Sequence, residues 1–502
     1  MTPTTSSPRD RLWLAIGLTF YLAALLLWRD AVPDGLNNDA AEEALRGLHL
    51  LEARRLQVFS SSLGVPQETL YLYVVAVLAK VLGPTTLAIQ VVSWAVGLSC
   101  VAMLVRLSRR VDERLPAWVP LLVALSSLWL FHYARAGLRA ISAPFFCLAV
   151  ALLLDRAERA PARRPAALAC GATLALSLYA YTACRVLVLA FVAHAALRLW
   201  RAAGDRRRLW RCYAWIAAAA LVVSIPNLYL LATAPGDVLW RGAYVIPPAA
   251  ALPRGLWWSA LVPVAYDASY RPLAGPTHIF DGVSAAFATA GLRPLHPLVT
   301  ALLLIGVVPA WRRRARPALC FLFFVWLLGT LGLGIAGPSL TRLLIVLPSF
   351  LVVAGLGTGA LLRRWPRLAP LIAAALLLLG AGELRNYFTS FAQSGAAQAY
   401  FSPAATPIGR RAGALAAQGQ RVVAVVSKDA NVVVYLAHEH AAAVRVVEFY
   451  GRPLAPREVP VAAFQPQVLL IERSPGFAAY AGTFPVQRHV GAAAVFDEIR
   501  LE

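Results

Sequence analysis

Long apolar runs separated by short arginine-rich stretches fill the first 382 positions. They cover 12–28, 86–105, 117–131, 139–154, 166–181, 184–200, 212–232, 295–311, 317–336, 340–361 and 366–382. Most match the roughly 17–25 apolar residues that cross a hydrocarbon core about 30 Å thick. The pattern predicts an all-α polytopic membrane domain over 1–382, with about eleven spanning helices. A shorter run over 69–82 contains Lys80 and is too short to span, so it predicts a helix at the membrane–water interface. Beyond residue 382 the period changes. RVVAVVS (421–427), VRVVEF (444–449) and QVLLIE (467–472) read as buried strands, and DANVVVYLAHEH (429–440) as a helix between the first two. Residues 383–502 are therefore expected to form a small soluble α/β domain.

The arginines set the orientation. If 69–82 does not cross, the clusters at 106–116, 155–165, 201–211, 312–316 and 363–367 all fall on one side. The positive-inside rule makes that side cytoplasmic. If 69–82 crosses, all five fall outside. The first arrangement places 383–502 in the periplasm of a bacterial inner (cytoplasmic) membrane. The first run follows Arg9 and Arg11 and lacks a small-residue cleavage site, so an uncleaved first span is expected.

Composition agrees with this reading. Hydrophobic residues make up 59% and charged residues 14%, with a mean hydropathy of +0.64. A net charge of +22 would suggest nucleic acid in a soluble protein. Here the loop arginines face lipid headgroups, and nucleic acid is excluded as a partner. Lys80 and Lys428 are the only lysines, a bias typical of a GC-rich bacterial genome. The six cysteines all lie in apolar runs, with neither metal spacing nor a disulfide framework. His438 and His440 have no clustered partners that would make a metal site. No metal or cofactor is assigned, and a divalent cation is left open.

Three hairpin tips break the charge rule. HYARAGLRA (132–140), YAYTACRV (179–186) and GPSLTRLL (337–344) face outward with Arg135 and Arg139, Arg185, and Arg342. Arginine at the bilayer edge is costly unless partnered. Snorkelling to headgroups or internal ion pairs would explain it, as would a bound phosphate, whose oxygens suit the guanidinium fork. His132, Tyr133 and Tyr181 share these tips, and Glu68 precedes the interfacial helix, so all four are placed in a substrate pocket. The first outer region, 29–85, also contains NNDAAEEALRGLHLLE. A helix starting near Asn37, Asn38 or Asp39 puts Asp39 and Glu43 on one face, with Glu42 close by. Acids also favour helix starts for electrostatic reasons alone. The second outer loop, 234–294, carries Trp240, Tyr244, Trp257, Trp258, Tyr266, Tyr270, Phe280 and Phe287, and reads as a substrate wall or lid.

These features together resemble the GT-C superfamily of lipid-linked-sugar glycosyltransferases. The likeness is strongest to the glycosyltransferase family 39-like set that includes the protein O-mannosyltransferase and aminoarabinose-transferase group. The acidic motif, VPQETLYLYVVAVLAKVLG, FHYARAGLRA and SLYAYTACRVL carry it, over roughly residues 12–361. The resemblance implies a GT-C fold and a general base on the acceptor at Asp39. It departs from the family at Asp39-Ala40, where Asp-Glu is usual, which leaves Glu42 and Glu43 as stand-ins. It departs again at Val65-Pro66-Gln67, where His-Pro-Pro is usual. It also implies a polyprenyl-phosphate-linked sugar donor, and an enzyme of the glycosyltransferase class (EC 2.4). The acceptor is a lipid, glycan or protein. A saccharide transporter and a non-catalytic membrane scaffold are the competing readings.

Overall fold

The structure, a computed structural model, describes residues 8–29, 35–54, 56–60, 66–160, 164–202, 204–239, 294–335, 339–448, 464–473, 487–490 and 496–500. The aromatic residues named in the 234–294 loop lie outside these ranges, as does Val65. The chain forms two compact units. One comprises Met1–Leu27, Gln57–Tyr71 and Ser93–Phe391; the other comprises Trp28–Leu56, Leu72–Val92 and Ala392–Glu502. The sequence division after residue 382 follows hydropathy, whereas the second unit also draws on two stretches from the first hundred residues.

Every apolar run forms helix. Among the described residues, six helices are long and apolar enough to cross a membrane, or seven if one bent pair is a single span. The bent pair is a break within one apolar run. Trp118–Leu125 and Leu128–Ala136 meet at 64°. At the break the Ser126 hydroxyl donates to the Val123 carbonyl at 3.0 Å, and the Ser127 hydroxyl caps the Leu130 N–H at 3.3 Å. Side-chain oxygens here compete with the helical ladder, so the run 117–131 is not one straight helix. Pro297–Arg312 and Leu70–Leu82 are also shorter apolar helices.

Small residues let helices of the first unit approach closely. A β-carbon on Gly306 would fall 1.9 Å from the Val353 carbonyl oxygen, and one on Gly357 would fall 1.9 Å from that of Leu302. Only glycine permits this crossing of Pro297–Arg312 with Leu347–Arg364. At one end of the unit the arginine loops are joined by buried acids. Asp112 meets Arg313 at 3.0 Å and Arg363 at 2.8 Å. Asp155 meets Arg110 at 3.2 Å and Arg159 at 3.0 Å. Glu158 takes Arg198 at 3.0 Å and the Tyr213 hydroxyl at 2.8 Å, and contacts His194.

The second unit is built on a five-stranded sheet. In spatial order its strands are Val444–Glu448, Val422–Val426, Val468–Glu472, Phe496–Arg500 and Gln487–Val490. The first three are parallel, with Val422 opposite both Val444 and Val468. All five residues of Val422–Val426 are buried, as a central parallel strand requires. These three strands occupy the runs read from the sequence. Between the first two, helix Ala430–Leu436 is followed by a 3-10 turn over His438–Ala443. Phe496–Arg500 and Gln487–Val490 add antiparallel strands that hydropathy did not reveal.

Candidate functional site

At the other end of the first unit, residues from two hairpin tips gather around Glu68. Gln67–Glu68 pairs antiparallel with Phe59–Ser60, which fixes the backbone before helix Leu70–Leu82. The Leu70 N–H donates to the Tyr179 carbonyl at 2.8 Å, and the Tyr71 hydroxyl donates to the Gly137 carbonyl at 3.0 Å. Both tips are thereby tied to the Glu68 segment. Arg139 donates to Glu68 Oε2 at 2.8 Å, with both side chains almost fully buried (3% and 2% exposed). The Thr182 hydroxyl donates to Oε1. Arg185 Nη2 lies 4.0 Å from Oε1 and donates to the Val238 carbonyl at 2.8 Å. The Arg139 guanidinium lies over the Tyr181 ring, 5.5 Å from its centroid.

The cluster thus brings together Arg139, Arg185, Glu68 and Tyr181, four of the residues singled out in the sequence. It adds Thr182, which only its place beside Tyr181 could have flagged. Two guanidiniums from separate tips meet at one carboxylate, and guanidinium forks suit an anion. The pairing with Glu68 also supplies the internal partner that a buried Arg139 needs.

Arg135 is engaged elsewhere. It donates to the carbonyls of Leu25 and of Leu27 (2.7 Å), and its guanidinium lies over Phe388 at 4.9 Å. It serves the open C-terminal end of helix Pro8–Leu26, where cations are favoured. That bonding departs from the expectation that it points to phosphate. His132 Nδ1 meets the Tyr387 hydroxyl at 3.2 Å inside an aromatic group with Phe391, so its place is in packing rather than in an open pocket. The Tyr133 hydroxyl bonds Thr341 at 2.6 Å, and Trp129 donates to the Leu340 carbonyl at 3.2 Å. These contacts hold the third tip, where Ser339 caps the N–H of half-buried Arg342 at 3.3 Å.

Asp39, Glu42 and Glu43 belong to the second unit. Asn37 caps helix Asn38–Glu52 by accepting from the Ala40 N–H at 3.1 Å. Leu36–Asn37 pairs antiparallel with Phe401–Ser402, Asn37 donates to the Tyr400 carbonyl at 2.9 Å, and the Leu36 N–H donates to Thr406 at 2.8 Å. Gly35 turns the chain into this strand at φ +92, and a β-carbon there would strike the Ser402 carbonyl. The three carboxylates differ. Asp39 is exposed in the first turn. Glu42 accepts from Arg46 Nε at 3.0 Å and Nη2 at 2.6 Å, and the Arg46 side chain is fully buried. Glu43 is buried. At the far end of this helix Glu52 meets His438 at 2.9 Å and Lys80 at 3.4 Å. Burial opposes ionisation of Glu52, but bonds and charge from His438 and Lys80 outweigh it and hold its carboxyl below the ordinary value. Burial, and then the neighbouring His438, push His49 down. Among the described residues no group of three or more His, Cys, Asp or Glu is arranged to hold a metal ion.

No protein-family model matches the sequence, and no curated protein sequence does. Solved structures do match. ArnT from Cupriavidus metallidurans in the apo state aligns at a TM-score of 0.59 and 15% identity, over 97% of both chains. The same protein bound to undecaprenyl phosphate aligns at 0.59 and 14%, again over 97% of both. The archaeal oligosaccharyltransferase AglB from Archaeoglobus fulgidus, in complex with an inhibitory peptide and a dolichol-phosphate, aligns at 0.54 and 9%, over 94% of this chain and 70% of that one. The chain shares the fold of these proteins, and with its apolar helices it is a multi-pass membrane protein.

Proposed function

We propose that this chain is a glycosyltransferase that moves a sugar from a polyprenyl-phosphate-linked donor to an acceptor hydroxyl at the outer face of the membrane. The observation that carries the reading is the meeting of Arg139 and Arg185, from separate tips, at Glu68 beside Thr182 and Tyr181. The shared fold with a protein solved with undecaprenyl phosphate supports it.

The chemistry needs a base and a set of cations. Asp39 is the base: it takes the proton of the acceptor hydroxyl as that oxygen attacks the anomeric carbon. Its exposure favours it over half-buried Glu42 and buried Glu43. As the new glycosidic bond forms, the bond from the anomeric carbon to the phosphate oxygen breaks. The lipid phosphate leaves with that electron pair, and Arg139 and Arg185, with Arg342 on the third tip, stabilise its charge. Phosphate is a good leaving group, so no acid partner is required. The unit that holds the sheet carries the base on a helix fastened to its C-terminal strands, which gives residues 392–502 a positioning role.

The test is consumption of a polyprenyl-phosphate sugar by purified protein in detergent, with release of polyprenyl phosphate as the readout. Turnover without a sealed membrane is expected. Movement of the lipid-linked sugar across sealed vesicles, with none consumed in detergent, would make the chain a transporter.

A further inference from the structure

We infer that Glu68 is the resident counter-anion of the phosphate site, a positioning residue whose carboxylate holds the donors that the lipid phosphate then shares. The inference rests on the lipid-phosphate reading above. Three observations lead to it. Glu68 is almost fully buried at 2% side-chain exposure and accepts from Arg139 on one tip and Thr182 on another. Arg185 stands 4.0 Å from the same carboxylate and remains 35% exposed, so the cluster is closed on the Arg139 side and accessible on the Arg185 side. These donors sit where the charge rule disfavours arginine.

A carboxylate and a phosphate present similar oxygen edges to a guanidinium fork. Glu68 therefore keeps two like-charged groups at short range in the absence of lipid and fixes their direction. The same carboxylate competes with an incoming phosphate for Arg139 and Thr182, which limits how tightly the product lipid is held. A glutamate that only supported the fold would not make phosphate and carboxylate interchangeable.

Glu68→Gln removes the charge and nearly keeps the shape. In detergent, inorganic phosphate is expected to raise the Tm of E68Q and to leave that of the wild type unmoved, because only the variant lacks the carboxylate charge at which Arg139 and Arg185 meet. Undecaprenyl phosphate should bind E68Q about tenfold more tightly, as one competing charge-assisted partner is gone. An equal phosphate response in the two proteins, or weaker lipid binding by E68Q, would overturn the inference. If E68Q does not fold, the double variant E68Q/R139Q takes its place, since removing both members of a buried pair is far better tolerated than removing one. It should fold and bind undecaprenyl phosphate more weakly than wild type, and wild-type binding would overturn the inference. Failure of the wild type itself to bind undecaprenyl phosphate would sink the functional reading alone, because the response of E68Q to inorganic phosphate decides the role of Glu68 independently.

Discussion

At both ends of the first unit a buried carboxylate gathers arginines from separate helices, but the arginines have different origins. Asp112 bridges Arg313 and Arg363, both from loops where the positive-inside rule expects them. Their pairing neutralises charge that orientation requires in any case. Glu68 bridges Arg139 and Arg185, from tips where that rule offers no reason for arginine. One arrangement fastens a bundle. In the proposed function, the other presents two guanidiniums to an incoming phosphate. The same ion-pair chemistry would then serve as a staple at one end and as a receptor at the other.

Orientation is the largest test, because it is all or none. A reporter fused after Glu502 is expected to be periplasmic and one inserted near Arg207 cytoplasmic. Reversal would exchange the two ends and remove the contrast. Next comes the base. Asp39→Asn should lower transfer by about 10²–10⁴ while leaving donor binding intact, measured as single-turnover rate beside lipid affinity. Normal transfer by this variant, with an inactive Glu42 or Glu43 variant, would move the role along the helix.

The two ends should then separate under matched substitutions. Arg185→Ala is expected to weaken undecaprenyl phosphate binding about tenfold or more, with Arg185→Lys recovering only part, since lysine keeps charge without the fork. Asp112→Asn should cost about 1–2 kcal/mol of stability, less than a fully buried pair because its arginines are partly exposed. Its transfer rate per folded molecule should not change. A binding defect in Asp112→Asn equal to that in Arg185→Ala would erase the distinction.

The smallest effect concerns pH and the second unit. The folded-state pKa values of Glu52 and His49 are both depressed. Their contributions are therefore present above their ordinary values of 4.5 and 6.5 and are lost as pH falls through the lowered ones. Tm should decline from pH 7 towards pH 4, and Glu52→Gln should flatten the acid limb by about 0.2–1 kcal/mol, the range of an exposed pair. A steeper limb in the variant would contradict the pairing with His438 and Lys80.

The sequence exposed what depends on local pattern. Arg139 and Arg185 stood out because they violated a charge rule, and Glu68 because it precedes an interfacial helix. Long-range partners were not legible. Nothing in the chain marks Arg135 for carbonyls 108 to 110 positions away. The four-residue spacing of Glu42 and Arg46 was readable, but the complete burial of Arg46, which engages Glu42, depends on packing. Hydropathy averages over breaks such as Ser126–Ser127, so the bend there was not legible. It also missed Gln487–Val490 and Phe496–Arg500, whose charged residues read as loop until a neighbouring strand pairs with them.

The pairing of Leu36–Asn37 with Phe401–Ser402 has a consequence for synthesis. Asn37 and Tyr400 are 363 residues apart. At about 5–20 residues per second, the ribosome needs roughly 20–70 s after making the acidic motif to deliver the strand that fastens it. Throughout that interval the helix that carries Asp39 lacks the strand that fastens its start, so this part of the second unit is completed only among the last steps of translation.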